Sequence, residues 1–418
     1  MKKYILLTGL LACGISLQAQ TIESLTYSQY LEKVNAGNLD YAAERLNVSA
    51  AKADVVAAKV FNDPSVSVEY TNNQDHTLQM GQSIEVGLTQ TLSPGKRGAA
   101  IKLARSESEL SEALLADYLR NLRAEATVAY LEVQKQKQMC EVKKNSCANL
   151  CDLAKSDSIW FASGKIMEVE AIQSSLEAGI MRNEVLQSET ELKNACFSLA
   201  LMMGKAMGDT LYMPQGELKP VTRLFVLDEL IANAIDNRSD LMAALKNTEV
   251  SRRALIVARR EKLPDIDLSL SISHNNRVYN EEAPAPNFNG VTAGIAIPLK
   301  FSAMNKGAVH AAKFRAQQAE TQYNQARLQV QTEVIQAYHQ FQSLSEQLRH
   351  YTNGMLKQAK DVLDGKIYSY HRGEVPLLEY LNAQRTYDDV QAQYIETLYN
   401  YNVSLVELEK AAGIWDID

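Results

Sequence analysis

The sequence predicts a mixed α/β membrane protein, a tandem repeat of long coiled-coil α-helices with four transmembrane β-strands. Three observations predict this fold. Gly and Pro number only 19 and 9 in 418 residues, so long stretches carry no helix breaker. Four short segments alternate apolar and polar residues. The remaining glycines recur at a fixed spacing. The composition is 46 % hydrophobic with a net charge of −7, which excludes a disordered chain and gives no basic surface for nucleic acid.

The N-terminus predicts export. Met1, Lys2 and Lys3 precede an apolar run from Tyr4 to Leu17, and a small residue, Ala19, follows. This is the pattern of a secretory signal peptide, here residues 1–19. A second interpretation rests on Leu10-Leu11-Ala12-Cys13, which resembles a lipoprotein processing box with Cys13 as the lipidated residue. Both interpretations predict an exported mature chain.

The mature chain is predicted to be a tandem duplication of one structural unit. Three glycines recur 209 positions later, half the chain length: Gly98, Gly164 and Gly204 as Gly307, Gly373 and Gly413. Such self-similarity indicates a structural repeat, with residues 20–213 as the first and 214–418 as the second. Each repeat is expected to begin with one helix, from about Ser28 to Ala58 and from about Leu227 to Arg260.

Two strands are expected next in each repeat, at about 65–73 and 82–92 and at about 265–274 and 289–300. In the first, Val66, Val68 and Tyr70 alternate with polar residues. Lengths of about 9–11 residues suit tilted transmembrane strands. The alternative is a small soluble sheet lying on the helices.

A very long helix, a Gly-containing turn and another long helix should complete each repeat. Apolar residues from Leu115 to Val133 recur at alternating intervals of four and three residues, which is the spacing of a coiled coil. A continuous helix from Gly98 to Gly164 would be about 100 Å long. Four strands cannot close a barrel alone. Several copies must therefore combine, and spacing alone does not choose between eight strands from two copies and twelve from three.

Three further elements specify a family. Leu263-Pro264-Asp265-Ile266 precedes a strand, Gly164 and Gly373 lie at the helix turns, and Leu39-Asp40-Tyr41 lies in the first helix. Together with the duplication, these elements resemble the TolC family of outer-membrane efflux proteins over essentially the whole mature chain. The resemblance implies a homotrimer in the outer membrane of a Gram-negative bacterium. It also implies a 12-stranded barrel continued by a periplasmic α-helical barrel, with no cofactor.

A partial motif indicates a branch of that family. Residues Leu92 to Gly98 resemble the G-G-K-R element of the CzcC-like cation-efflux branch, with Pro94 in place of one Gly. The resemblance implies the exit duct of a tripartite system, with heavy-metal cations as the expected cargo. Its partners would be a periplasmic adaptor, an inner-membrane RND-type pump or ABC transporter, and outer-membrane lipid. The alternatives are drug efflux, type I protein secretion, or a periplasmic coiled-coil scaffold without a pore.

The resemblance also assigns roles at the helix tips. It implies adaptor docking by Ser163, Gly164, Tyr370, Arg372 and Gly373, where Gly also serves the chain reversal. Just past each tip lies a carboxylate, Glu170 and Glu379, and the resemblance implies an acidic periplasmic constriction.

Glu379 would form a ring in the trimer, with Asn382 in its companion position; the alternative is a solvated helix face. Tyr370 and Arg372 are candidate partners of Glu170, since Val375 stands where some relatives carry a closing arginine.

The cysteines and motifs give no catalytic or metal site. Cys140, Cys147 and Cys151 are seven and four residues apart, which raises a metal-site interpretation. They also continue the helix seam, where Cys packs as a small apolar residue, and we favour packing. No G-x-S-x-G or H-E-x-x-H motif is present. The sequence therefore predicts a protein that is not an enzyme.

Overall fold

A computed structural model describes residues 21–73, 79–206, 210–221, 223–299 and 306–415. The predicted signal peptide and Cys13 lie outside these residues. The helices are α1 Tyr27–Gly37, α2 Leu39–Ala57, α3 Lys96–Ala162, α4 Glu168–Met202, α5 Leu227–Asn237, α6 Ser239–Arg260, α7 Gly307–His350, α8 Leu356–His371 and α9 Leu377–Ala412. The strands are β1 Thr21–Leu25, β2 Ser65–Asn72, β3 Gln82–Leu92, β4 Thr210–Pro214, β5 Ile266–Asn275 and β6 Phe288–Ala296.

Strands β2, β3, β5 and β6 form one antiparallel sheet in the order β2-β3-β5-β6. One row across the sheet joins Val68, Val86, Ile272 and Val291. These residues are 72 %, 47 %, 59 % and 73 % exposed, so none of the described helices covers them. The next row, on the other face, is small and polar: Ser67, Gly87, Ser271 and Thr292. The soluble-sheet alternative fails because the apolar face does not pack on the helices.

The prediction of a single first helix in each repeat is wrong. The first-repeat helix is broken at Asn38, whose side chain accepts a hydrogen bond of 2.8 Å from the Tyr41 amide and so caps α2. The second-repeat helix is broken at Arg238. At the first break the chains approach closely: a Cβ on Gly204 would lie 1.9 Å from the Gly37 carbonyl oxygen. Gly204 ends α4 with φ near 64°, so only Gly fits there.

A second, small sheet was not predicted. Strands β1 and β4 pair in parallel, from Thr21 opposite Thr210 to Leu25 opposite Pro214. This pairing joins the start of the described chain to the segment between the two repeats. Each strand has only five residues, too few to produce a clear alternating pattern.

The two long helical hairpins differ in continuity. Helix α3 runs unbroken for 67 residues, about 100 Å at 1.5 Å per residue. Its counterpart is interrupted by a π-helical turn at Tyr351–Met355, where Gly354 has φ near 140°. Gly can adopt this backbone conformation because Gly lacks a Cβ. The second hairpin therefore contains a joint that the first lacks.

The helices pack in three apolar clusters. One lies in the first repeat around Val133 and Leu199, and one in the second around Val334 and Leu405. The third lies near the tips, where side chains of α3, α4, α8 and α9 meet. The third cluster thus joins both hairpins at the end of the molecule farthest from the sheet. Among the described helices, none is long and apolar enough to cross a membrane.

Candidate functional site

The two helix tips are built alike. At each tip one glycine is left-handed, Gly164 and Gly373, both with φ near 72°. The following amide reaches back five residues, from Lys165 to the Trp160 carbonyl and from Glu374 to the Ser369 carbonyl, each at 2.9 Å. These are the bonds of a helix end that reverses through a left-handed residue. The glycines predicted at the tips are therefore required by the turns, whatever else they contact.

The exposed surface of the tips consists of the turns themselves. Ser163, Gly164, Arg372 and Gly373 are exposed. The Ser163 hydroxyl donates to the Trp160 carbonyl at 2.9 Å. Arg372 pairs with Glu374 at 2.8 Å and donates to the Tyr368 hydroxyl at 2.7 Å. Within the protomer, Arg372 is thus engaged with its own turn, and its expected pairing with Glu170 is not made.

Tyr370 was expected on the docking surface, and the structure places it elsewhere. It is 5 % exposed, and its hydroxyl donates a hydrogen bond of 2.9 Å to Asp157 Oδ1 in α3. The expected partner, Glu170, is instead bonded to the backbone. Tyr370 faces inward because it belongs to the apolar cluster that joins the two hairpins.

Asp157 is a buried carboxyl that sequence reasoning missed. It is 0 % exposed, and its Oδ2 atom has no hydrogen-bond partner among the described residues. Burial raises the pKa of Asp157, and the hydroxyl groups of Ser174 and Tyr370 beside it oppose that rise. Burial and the Asp157 carboxylate raise the pKa of Tyr370 as well. Since Asp157 lies in α3, Ser174 in α4 and Tyr370 in α8, this cluster fastens the two hairpins together.

The two predicted constriction carboxylates have different environments despite equivalent positions. Glu170 Oε2 accepts a hydrogen bond of 3.2 Å from the amide of Met167, which precedes α4. The equivalent residue before α9 is Pro376, which has no amide hydrogen. Glu379 is therefore free to reach Lys366 in α8, and its Oε2 lies 2.5 Å from Nζ. Its side chain remains 48 % exposed, and Asn382, one turn further on, is also exposed.

A second polar cluster lies deeper between α3 and α9. Gln384 Nε2 donates to Asp388 Oδ1 at 3.0 Å, and the Ser146 hydroxyl also donates to Asp388. Burial raises the pKa of Asp388. The contact between the two hairpins therefore contains the buried carboxyl of Asp157 and the half-buried carboxyl of Asp388.

The G-K-R-like residues lie where the sheet meets the helices. Lys96 Nζ lies 2.7 Å from Asp265 Oδ1, so the motif of the first repeat contacts the Leu-Pro-Asp element of the second. The Arg97 guanidinium stacks 3.6 Å from the centre of the Phe61 ring and donates to the Lys59 carbonyl. These residues hold the junction of strands and helices together.

The cysteines are not all packed as predicted. Cys140 is buried, but Cys147 and Cys151 are only half-buried. Among the described residues, no three His, Cys, Asp or Glu side chains are grouped so that they could hold a metal ion.

Comparisons with known proteins support an efflux family. Residues 230–414 match the Outer membrane efflux protein family. The cobalt-zinc-cadmium resistance protein CzcC of Cupriavidus metallidurans is 24 % identical over 394 residues, 93 % of this chain and 90 % of that protein. The putative multidrug resistance outer membrane protein MdtQ of Escherichia coli K12 is 22 % identical over 319 residues, 75 % of this chain and 64 % of that protein.

Solved structures share the fold. CusC superimposes with a TM-score of 0.76 at 18 % identity, covering 93 % of this chain and 92 % of that chain. The CmeC outer membrane channel of Campylobacter jejuni gives 0.77 at 16 % identity, covering 92 % and 85 %.

The protomer fold, an exposed apolar-faced sheet continued by long paired helices, is therefore that of an outer-membrane efflux channel. Residues 230–414 match the Outer membrane efflux protein family, and the similarity to CzcC extends over nearly the whole chain, which confirms the predicted resemblance, fold class and outer-membrane location. These matches are to efflux and resistance proteins and to a membrane channel, in agreement with the prediction that the protein is not an enzyme.

Proposed function

We propose that three copies of this chain form the outer-membrane exit duct of a tripartite efflux system that exports heavy-metal cations. The sheet carries the argument for the assembly. Strands β2 and β6 are its edges, and an edge strand exposed to hydrocarbon leaves backbone N–H and C=O groups unpaired. Pairing β6 of one copy with β2 of the next satisfies both edges. Three copies give twelve strands.

The exposed helix tips support docking of a periplasmic partner protein. They lie about 100 Å from the sheet along α3, and their outer surface consists of the two exposed turns around Gly164 and Gly373. A periplasmic adaptor docked there would connect the duct to an inner-membrane pump of the RND or ABC type. The duct would remain passive, since the pump supplies both energy and choice of substrate.

A relative and the charge of Glu379 support heavy-metal cations as the cargo. CzcC matches over nearly the whole of both chains and is named for cobalt, zinc and cadmium resistance. Glu379 lies in the first turn of α9, exposed beyond the tip. Three such carboxylates around one axis would favour cations at the neck. The MdtQ match favours multidrug efflux as the second candidate.

The deciding experiment is growth of a strain that lacks the gene. The strain is grown on zinc, cobalt, cadmium and copper, and separately on detergents, bile salts and dyes. We expect sensitivity confined to metals and restored by the wild-type gene. Sensitivity confined to amphiphiles would overturn the metal cargo while leaving the duct. A soluble periplasmic protein with no heat-sensitive oligomer in the outer-membrane fraction would overturn the duct itself in favour of a scaffold.

A further inference from the structure

Two thiols lie side by side on one face of α3. Cys147 and Cys151 are four residues apart, the spacing that stacks side chains on a helix. Their Sγ atoms are 4.0 Å apart, and both residues are half-buried. Cys151 lies 13 residues before Gly164, which places the pair about 20 Å from the tip. The pair is therefore reachable from solvent, unlike Cys140 and Cys196, which are buried.

The sulfur separation suits a shared metal ion. A near-linear ion held by two metal–sulfur bonds of about 2.3 Å spans about 4.6 Å between the sulfurs, so the two side chains would need to move apart by only about 0.6 Å to share it. A disulfide requires about 2.0 Å between the sulfurs, so the present geometry is that of two separate thiols.

A cation on the neighbouring helix provides charge balance. Arg182 of α4 donates from Nη2 to Cys151 Sγ at 3.5 Å. Binding a monovalent ion to both thiols releases two protons to solvent and leaves one net negative charge on the two thiolates and the metal. The guanidinium of Arg182 compensates that charge, as a nearby Arg favours a thiolate.

We propose that Cys147 and Cys151 form a two-thiolate binding site for a soft monovalent metal ion, Cu(I) or Ag(I), on the wall of the helical hairpin. Thiolates select soft ions. A structural zinc site requires about four protein ligands, and the described residues contain no third His, Cys, Asp or Glu ligand at this site. The site does not depend on the cargo proposed above, and either proposal can fail alone.

The test uses the full-length protein in detergent, with Ag(I) as the probe. The protein is first reduced and then desalted without oxygen into a chloride-free buffer. We expect one Ag(I) per protomer after a second desalting, measured by elemental mass spectrometry. Cys147→Ser and Cys151→Ser should each lose that ion in competition with a soluble thiol. Arg182→Gln should weaken binding about tenfold. Cys196→Ser is the matched control, since it removes a buried thiol of another cluster, and it should bind as the wild type does.

A second measurement needs no variant. Bound Ag(I) should protect Cys147 and Cys151 together from alkylation by iodoacetamide, read by peptide mass spectrometry. The proposal is overturned if the wild type retains no Ag(I), if both serine variants bind like the wild type, or if Ag(I) leaves the alkylation of these two residues unchanged.

Discussion

The hydroxyl of Tyr370 donates a 2.9 Å hydrogen bond to the buried carboxyl of Asp157, and this contact joins the second helical hairpin to the first. We expect Tyr370→Phe to weaken the contact between the two hairpins by about 1–3 kcal/mol, because it leaves a buried carboxyl oxygen without its hydrogen-bond donor. Recordings of the purified channel in planar bilayers should show more frequent opening.

The matched control is Tyr380→Phe. The Tyr380 ring lies 5.7 Å from that of Tyr370 in the same cluster, so this variant removes a neighbouring hydroxyl without touching the Tyr370–Asp157 bond. If the two variants open equally often, the bond does not hold the tips.

Asp157 should make the tips more stable in mild acid. Its pKa is raised, chiefly by burial. A carboxyl with a raised pKa stabilises the folded state below its ordinary value near 4, and that contribution is lost as pH rises through the folded-state pKa. Lowering the pH from 7.5 to about 4 should therefore favour the wild type over Asp157→Asn, so that its melting temperature rises relative to that of the variant.

Because other groups titrate as well, the informative quantity is the difference between the two proteins. Asp152→Asn, which removes an exposed carboxylate paired with Lys155, should keep the wild-type pH dependence. An unchanged pH dependence in Asp157→Asn would contradict the assignment.

Glu379 and Lys366 should have opposite effects on ion selectivity, because they form one exposed ion pair. Glu379→Gln should lower the cation preference of the channel, and Lys366→Gln should increase it by leaving the carboxylate uncompensated. Reversal potentials across a salt gradient measure both. Glu170→Gln serves as comparison, since Glu170 is bonded to the Met167 amide. The constriction prediction fails if neither Glu379→Gln nor Lys366→Gln shifts the reversal potential.

A charge on the apolar face of the sheet should block assembly in the membrane. Val291 is 73 % exposed on that face, and a lysine facing lipid costs about 2–4 kcal/mol near the bilayer centre. Val291→Lys should reduce the heat-sensitive oligomer in outer-membrane fractions. Thr292→Lys, on the adjacent residue and opposite face, should be tolerated. Equal recovery of the two variants would show that the face does not meet lipid.

The sheet and long helices could be predicted because their periodicities are strong and extend over many residues. The four strands have alternating faces, and α3 contains no Gly or Pro after Gly98. The break at Asn38 had a local signal that was missed: Asn followed by Leu-Asp-Tyr is a capping residue at a helix start. The break at Arg238 had none, because Arg238 is held by ion pairs with Asp240 and Glu333 that exist only after folding.

The tip cluster could be predicted only in part. The turn glycines and the carboxylates past them follow from the duplication. Asp157 could not be found, since an Asp in a long polar helix is ordinary until four helices pack around it. The inward placement of Tyr370 has the same cause. The different environments of Glu170 and Glu379 could have been predicted, because Pro376 lacks an amide hydrogen whereas Met167 has one.

The free edges of β2 and β6 have a genetic consequence. Each copy in a closed ring must offer one edge to the copy before it and the other to the copy after it, so every protomer takes part in two different contacts. A protomer with one damaged edge could still join a neighbour through its intact edge. If a cell makes damaged and intact chains in equal amounts, random mixing in rings of three leaves roughly one ring in eight wholly intact. A loss-of-function allele of this kind would therefore be dominant, whereas a null allele would be recessive.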